Sequence, residues 1–73
     1  MNYNSFRTHV TNKIRQLRLS KGFTQEDMEE GKFGINVRTY QRIENMETDI
    51  TLNNLYLISQ KLSVDIRDFF DPE

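Results

Sequence analysis

The chain has 73 residues, 36% of them hydrophobic and 29% charged, with a formal net charge of -1, one histidine and no cysteine. That length supports one core and one site, the missing thiols exclude a disulfide framework or thiolate metal centre, and His9 alone cannot supply the ligands zinc requires. Apolar runs stay far below the roughly 20 residues that span a bilayer, and MNYNSFRTHV has no apolar signal core, so a soluble, cytoplasmic protein without metal or cofactor is expected.

Phe6, Val10, Ile14 and Leu17 recur at helical spacing and draw an apolar stripe along a first helix starting near Ser5. The segment carries Arg7, Lys13, Arg15, Arg18 and Lys21 without a carboxylate, and Gly22 is placed to end it as a left-handed cap. Thr24-Gln25-Glu26-Asp27 then has the form of a helix start, with acids favouring the positive end of the helix dipole. This second helix must be short: its apolar surface is chiefly Met28 and Phe33, and Gly31 and Gly34 both interrupt it.

Asn36 caps a third helix whose wheel sets Tyr40 and Ile43 on one side and Val37, Arg38, Gln41, Arg42 and Asn45 on the other. From Gly31 to Ile43 the charge is again basic, through Lys32, Arg38 and Arg42. After a loop at Asn45-Met46-Glu47-Thr48-Asp49, Thr51 caps a fourth helix with Leu52, Leu55, Tyr56, Ile58 and Leu62 on an apolar arc that Ser63-Val64 ends. Asp65 caps a last turn in which Ile66, Phe69 and Phe70 close the core before Pro72. Nothing alternates well enough for a strand, and no linker or repeat divides the chain, so residues 1–73 form a single all-α domain of five short helices.

Two successive capped helices joined by a glycine turn, the second with a free polar face, have the form of a helix-turn-helix. The residues Ile14-x-x-Leu17-Arg18, Lys21-Gly22-Phe23-Thr24-Gln25-Glu26-Asp27-Met28, Gly34-Ile35-Asn36, Ile43-Glu44-Asn45, Thr51-Leu52-x-x-Leu55-x-x-Ile58 and Leu62-Ser63-Val64 with Phe69 carry a further signal. From about Val10 to Phe70 the chain resembles the lambda-repressor-like (Cro/cI, XRE-type) DNA-binding domains. The resemblance implies a five-helix bundle in which Gln25 grips a phosphate, Asn36, Val37, Arg38, Thr39, Gln41 and Arg42 meet the major groove, and Asn45 touches the DNA backbone. It also implies a structural ion pair between Arg18 and Glu44. One departure stands out: Met28 to Gly34 is one residue longer than is usual in the family, and Glu29 stands where alanine is common. The extra residue must become a bulge or an early stop near Gly31, which bears on the docking angle of the third helix.

Physical chemistry supports the groove residues independently, because arginine's planar fork binds guanine O6 and N7 together and Arg38 and Arg42 lie one turn apart on a helix. Val37 either meets a thymine methyl or only fills the first turn; Lys13, Arg15 and Lys21 either approach phosphates or form a solvated face. Tyr40 is expected in the core, and His9 at the surface. Leu57 lies opposite the apolar arc and, with Phe70, is the expected seam of a homodimer that would read a palindromic operator in double-stranded DNA.

The expected function is a sequence-specific transcriptional regulator without a small-molecule effector site. The alternative is a protein-binding module of antitoxin or anti-repressor type that keeps the fold without groove contact, for which the acidic EDMEE segment and the extra residue speak. No nucleophile-base pairing, phosphate loop or metal spacing points to an enzyme.

Overall fold

The computed structural model describes residues 2–71, which contain helices and loops and no strand. In chain order they form α1 (Tyr3–Ser20), a 3-10 segment (Glu26–Glu29), α2 (Val37–Glu44), α3 (Leu52–Leu62) and a second 3-10 segment (Ile66–Phe70). The five expected helices are thus three α-helices and two short 3-10 pieces, and the third expected helix is α2.

Local chemistry sets the boundaries. Asn2 accepts a hydrogen bond from the Ser5 N–H at 2.8 Å and starts α1 at Tyr3, ahead of the expected Ser5. At the other end the Phe23 and Gly22 amides donate to Arg18 and Leu19 carbonyls at 3.1 and 3.0 Å, with Gly22 at φ +78, which is the six-to-one closure of a Schellman cap. Thr51 caps α3 through the Asn54 N–H, and Asp65 caps the last 3-10 segment through the Arg67 N–H.

Two further helices close in the same way without glycine. Met46 after α2 and Ser63 after α3 sit at φ +60 and +56, each followed by an amide that donates back to the helix, Glu47 to Arg42 and Val64 to Ser59. A side chain with a Cβ is strained in that region, whereas glycine is not. Ser63→Gly is therefore expected to stabilise the fold by about 0.5 to 1 kcal/mol, read as a raised urea midpoint at unchanged slope.

The core is formed by Val10 and Ile14 of α1, Met28, Ile35, Tyr40 and Ile43 around the turn and α2, Leu55, Ile58 and Leu62 of α3, and Phe69. Two helices are rotated from their expected faces. On α1 the buried positions are Val10, Thr11, Ile14 and Arg18, while Phe6 is 41% exposed, because a carboxylate on α2 draws Arg18 inward. On α3 they are Leu55, Ile58, Ser59 and Leu62; Leu52 is 84% exposed and Tyr56 half-exposed, although both belonged to the expected arc. Ser59 can lie inside because its hydroxyl donates to the Tyr56 carbonyl at 2.7 Å. The same rotation turns Leu57, expected opposite the arc, partly inward against the core.

Phe69 is fully buried, a placement that stabilises by about 2 to 3 kcal/mol relative to exposure. Phe70, expected to help close the core, remains at the surface and stacks on Phe6 with ring centroids 5.9 Å apart.

Candidate nucleic-acid interface

The segment before α2 determines how that helix is presented. Thr24 and Asp27 form a reciprocal capping box: the Thr24 N–H donates to the Asp27 carboxylate at 2.8 Å and the Asp27 N–H to the Thr24 hydroxyl at 3.1 Å. The Thr24 N–H first, and the Thr24 hydroxyl second, hold the Asp27 carboxyl below its usual range. The box opens only one 3-10 turn, after which Glu30 is extended and Gly31 turns left-handed at φ +84.

The extra residue between Met28 and Gly34 thus appears as an early stop, with no bulge inside a helix. The chain folds back so that the Ile35 N–H donates to the Met28 carbonyl at 2.9 Å, and Gly34 passes against the backbone of Glu29. Lys61 of α3 fastens the loop from outside, donating to the Glu30 carbonyl at 2.9 Å with its ammonium 5.3 Å from the Phe23 ring centre.

Asn36 starts α2 with its side-chain oxygen accepting from the Arg38 and Thr39 amides at 3.0 and 3.4 Å. Its amide nitrogen donates to Glu29 at 3.3 Å. Tyr40, Ile43 and Glu44 face the interior; Arg38, Arg42 and Asn45 are exposed, and Val37, Thr39 and Gln41 are half-buried beside them. Neither Arg38 nor Arg42 is ion-paired to any described residue. Asn45 donates to the Glu47 carboxylate at 3.4 Å.

Beneath that face lies a buried polar cluster centred on Glu44. Arg18 reaches it with two prongs, Nε to Oε2 at 2.7 Å and Nη2 to Oε1 at 3.1 Å, and donates through Nη1 to the Phe23 carbonyl at 2.7 Å. The Tyr40 hydroxyl and the Gln25 amide also donate to the carboxylate, the latter at 3.0 Å. Arg15 adds a bond to the Glu44 carbonyl at 3.2 Å and an ion pair at 3.6 Å.

Burial alone would push the Glu44 carboxyl up, but the donors from Arg18, Tyr40 and Gln25 outweigh it and hold it below its usual range. For Tyr40, burial followed by the bond to Glu44 pushes the phenol well above its usual range. Every buried side-chain polar atom among the described residues has a partner.

Comparison with known families agrees with this arrangement. A family model described as helix-turn-helix, of the XRE/lambda-repressor-like kind, matches residues 14–69. The chain belongs to the helix-turn-helix family. It is a family of DNA-binding regulators rather than enzymes. No curated protein and no solved structure matches the chain.

Within this helix-turn-helix the named residues divide into groups. Asn36, Val37, Arg38, Thr39, Gln41, Arg42 and Asn45 lie along or beside the outer side of α2, whereas the Gln25 amide is turned toward Glu44. Arg15, read as a phosphate contact or a solvated charge, is engaged at the end of α2. His9 is half-buried, and its Nε2 touches the Asp71 carbonyl. Arg7 pairs with Asp49 at 3.4 Å. The bonds of Tyr40, Gln25 and Arg15 to Glu44 are not evident from the sequence, in which the available signal was the i,i+4 spacing of Tyr40 and Glu44 on one helix. Among the described residues no helix is long and apolar enough to cross a membrane.

Proposed function

We propose that the chain acts as a single-domain, cytoplasmic regulator that binds double-stranded DNA sequence-specifically, with α2 in the major groove. The observation that carries this reading is a pair of exposed guanidinium groups, Arg38 and Arg42, one turn apart and without an ion-pair partner among the described residues, opposite the anchored Tyr40 and Ile43. Val37, Thr39 and Gln41 complete the groove face, and Asn45 meets the DNA backbone at its end. Asn36 acts through the first turn it caps. Gln25 spends one amide hydrogen on Glu44 and keeps the other for a phosphate.

We further propose a homodimer. Support comes from an apolar cleft of about 300 Å3 whose lining includes Tyr3, Phe6, Leu52 and Phe70, with the exposed Leu52 as a knob at its rim. A two-fold copy would place each Leu52 by the other cleft and give two α2 helices for a palindromic operator. Phe70 belongs to this seam and Leu52 is added to it, while Leu57, half-buried against the core, offers it less surface than Leu52.

Selection of duplexes from a random pool, followed by titration against salt, tests the reading. A two-fold-symmetric site bound with steeply salt-dependent affinity is the expected result, because phosphate neutralisation releases counterions. Arg42→Ala is expected to lose about 1 to 3 kcal/mol on that site and to relax preference at one base step. If Arg38→Ala/Arg42→Ala binds like the parent, the groove face has been misassigned. The exposed Glu26, Glu29 and Glu30 favour the second reading, a protein-binding module, which would show flat DNA titrations and a protein partner.

A further inference from the structure

Glu29 is placed with unusual firmness for an exposed acid. Its backbone is wedged by Gly34, where even one added carbon would stand 2.0 Å from the Glu29 carbonyl oxygen, and the neighbouring Met28 carbonyl is tied to the Ile35 amide. Its carboxylate accepts from the Asn36 amide at 3.3 Å through Oε2, and Asn36 is itself fixed as the cap of α2. No described cation pairs with Glu29. The early stop of the preceding 3-10 segment therefore delivers an unneutralised carboxylate to the N-terminus of the helix whose outer face carries Arg38 and Arg42.

We infer that Glu29 is a specificity-determining residue: it makes docking of α2 conditional on a base-edge amino group, cytosine N4 or adenine N6, at the N-terminal end of the groove contact. The inference rests on the DNA-binding reading above. A carboxylate has acceptors only, so a base amino group satisfies it, while carbonyl oxygens, ring nitrogens and phosphates repel it. On a duplex without the donor, the charge stays unpaired as water is displaced, and that penalty falls on the wrong sequence alone. Arg38 and Arg42 supply attraction, and Glu29 supplies rejection.

The test compares Glu29→Gln with the parent on the selected duplex and on an unrelated duplex of equal length. Glutamine keeps an acceptor for Asn36 and can still accept from a base, but carries no charge, so α2 stays capped; unchanged thermal melting checks this. The expected result is a rise of about threefold to tenfold in affinity for the unrelated duplex at low salt, shrinking as salt rises, with little or no gain on the selected one. Repeated selection with Glu29→Ala is expected to lose the cytosine or adenine preference at one position of each half-site. Glu30→Gln, one residue away and equal in charge, is expected to change the ratio of the two affinities less than twofold. Equal gains on both duplexes, no gain on either, or the same ratio change from Glu30→Gln would overturn the inference while leaving the DNA-binding reading intact. A parent protein with no salt-dependent DNA affinity would sink both.

Discussion

Gly34→Ala is expected to be among the most damaging single substitutions in the chain, costing several kcal/mol, on the order of 3 to 5, and leaving a protein of this size partly or wholly unfolded at 37 °C. The cause is steric. A Cβ at Gly34 would lie 2.0 Å from the Glu29 carbonyl oxygen and 2.6 Å from its carbon, with the Glu30 carbonyl oxygen at 3.2 Å. All three are backbone atoms, so no rotamer change relieves the clash. The loop would have to move away from the 3-10 segment, breaking the Ile35-to-Met28 bond and lifting the buried Met28 and Ile35 from the core.

Gly31 supplies the contrast. It is left-handed at φ +84, yet a Cβ there would meet only the Lys61 ammonium at 3.9 Å, so Gly31→Ala is limited to the conformational penalty of about 1 kcal/mol. Urea unfolding of both variants checks the order. Comparable midpoints would show that the turn tolerates displacement and that Gly34 is not held against Glu29.

The difference between these glycines marks what could be read in the sequence. Both were legible as interruptions of the second helix, since glycine disfavours helix wherever it stands. That one serves a left-handed turn and the other a backbone crossing depends on where the returning chain passes, which no local pattern encodes. Caps were legible for the opposite reason: Asn36, Thr51, Asp65 and Gly22 act within three or four residues of themselves. The outer position of Arg38 and Arg42 followed from the same short-range logic, because Tyr40 and Ile43 fix the inner face of α2 by spacing alone.

Faces that depend on tertiary partners were not legible. An apolar count along α3 points to Leu52 and Tyr56, but a serine able to return its hydroxyl to the helix backbone lies inside and turns those residues out. Along α1, periodicity ranks Phe6 above Arg18, yet Arg18 is only 7% exposed and Phe6 41%, because Arg18 has a carboxylate waiting 26 residues later. The position of Glu29 is a third case. Its approach to α2 follows from an early helix stop that one additional residue made necessary, and the sequence shows the surplus residue without the path that absorbs it.

Glu44→Ala is expected to cost about 3 to 5 kcal/mol, because it removes the carboxylate that pairs with the buried Arg18 and strands the Tyr40 hydroxyl with it. The loss measures the charge left behind rather than the net value of the pair, so a double-mutant cycle is the proper comparison. In Arg18→Met/Glu44→Met most of the loss is expected to return, since two apolar side chains remove both charges together, although Tyr40 and Gln25 would still lack their acceptor.

Acidity provides a second, independent reading of the same cluster. Glu44 has a folded-state pKa below its unfolded value near 4.5, so the unfolded chain takes up the proton first as pH falls. Its contribution is complete above that range and declines as pH drops through it toward the folded value. Tyr40 acts at the other end: its folded pKa is raised above 10.0, so stability is complete below that pH and declines as the unfolded phenol ionises above it. Thermal melting of the parent is expected to fall on both flanks, whereas Glu44→Gln should lose the share of the acid decline that Glu44 contributes and keep the shares of Asp27 and Asp65, whose carboxyls are also held low. An unchanged acid flank in Glu44→Gln would mean that Arg18 is held mainly by the Phe23 carbonyl, and the cluster would no longer explain why α1 and α2 keep the relative orientation that leaves Arg38 and Arg42 facing outward.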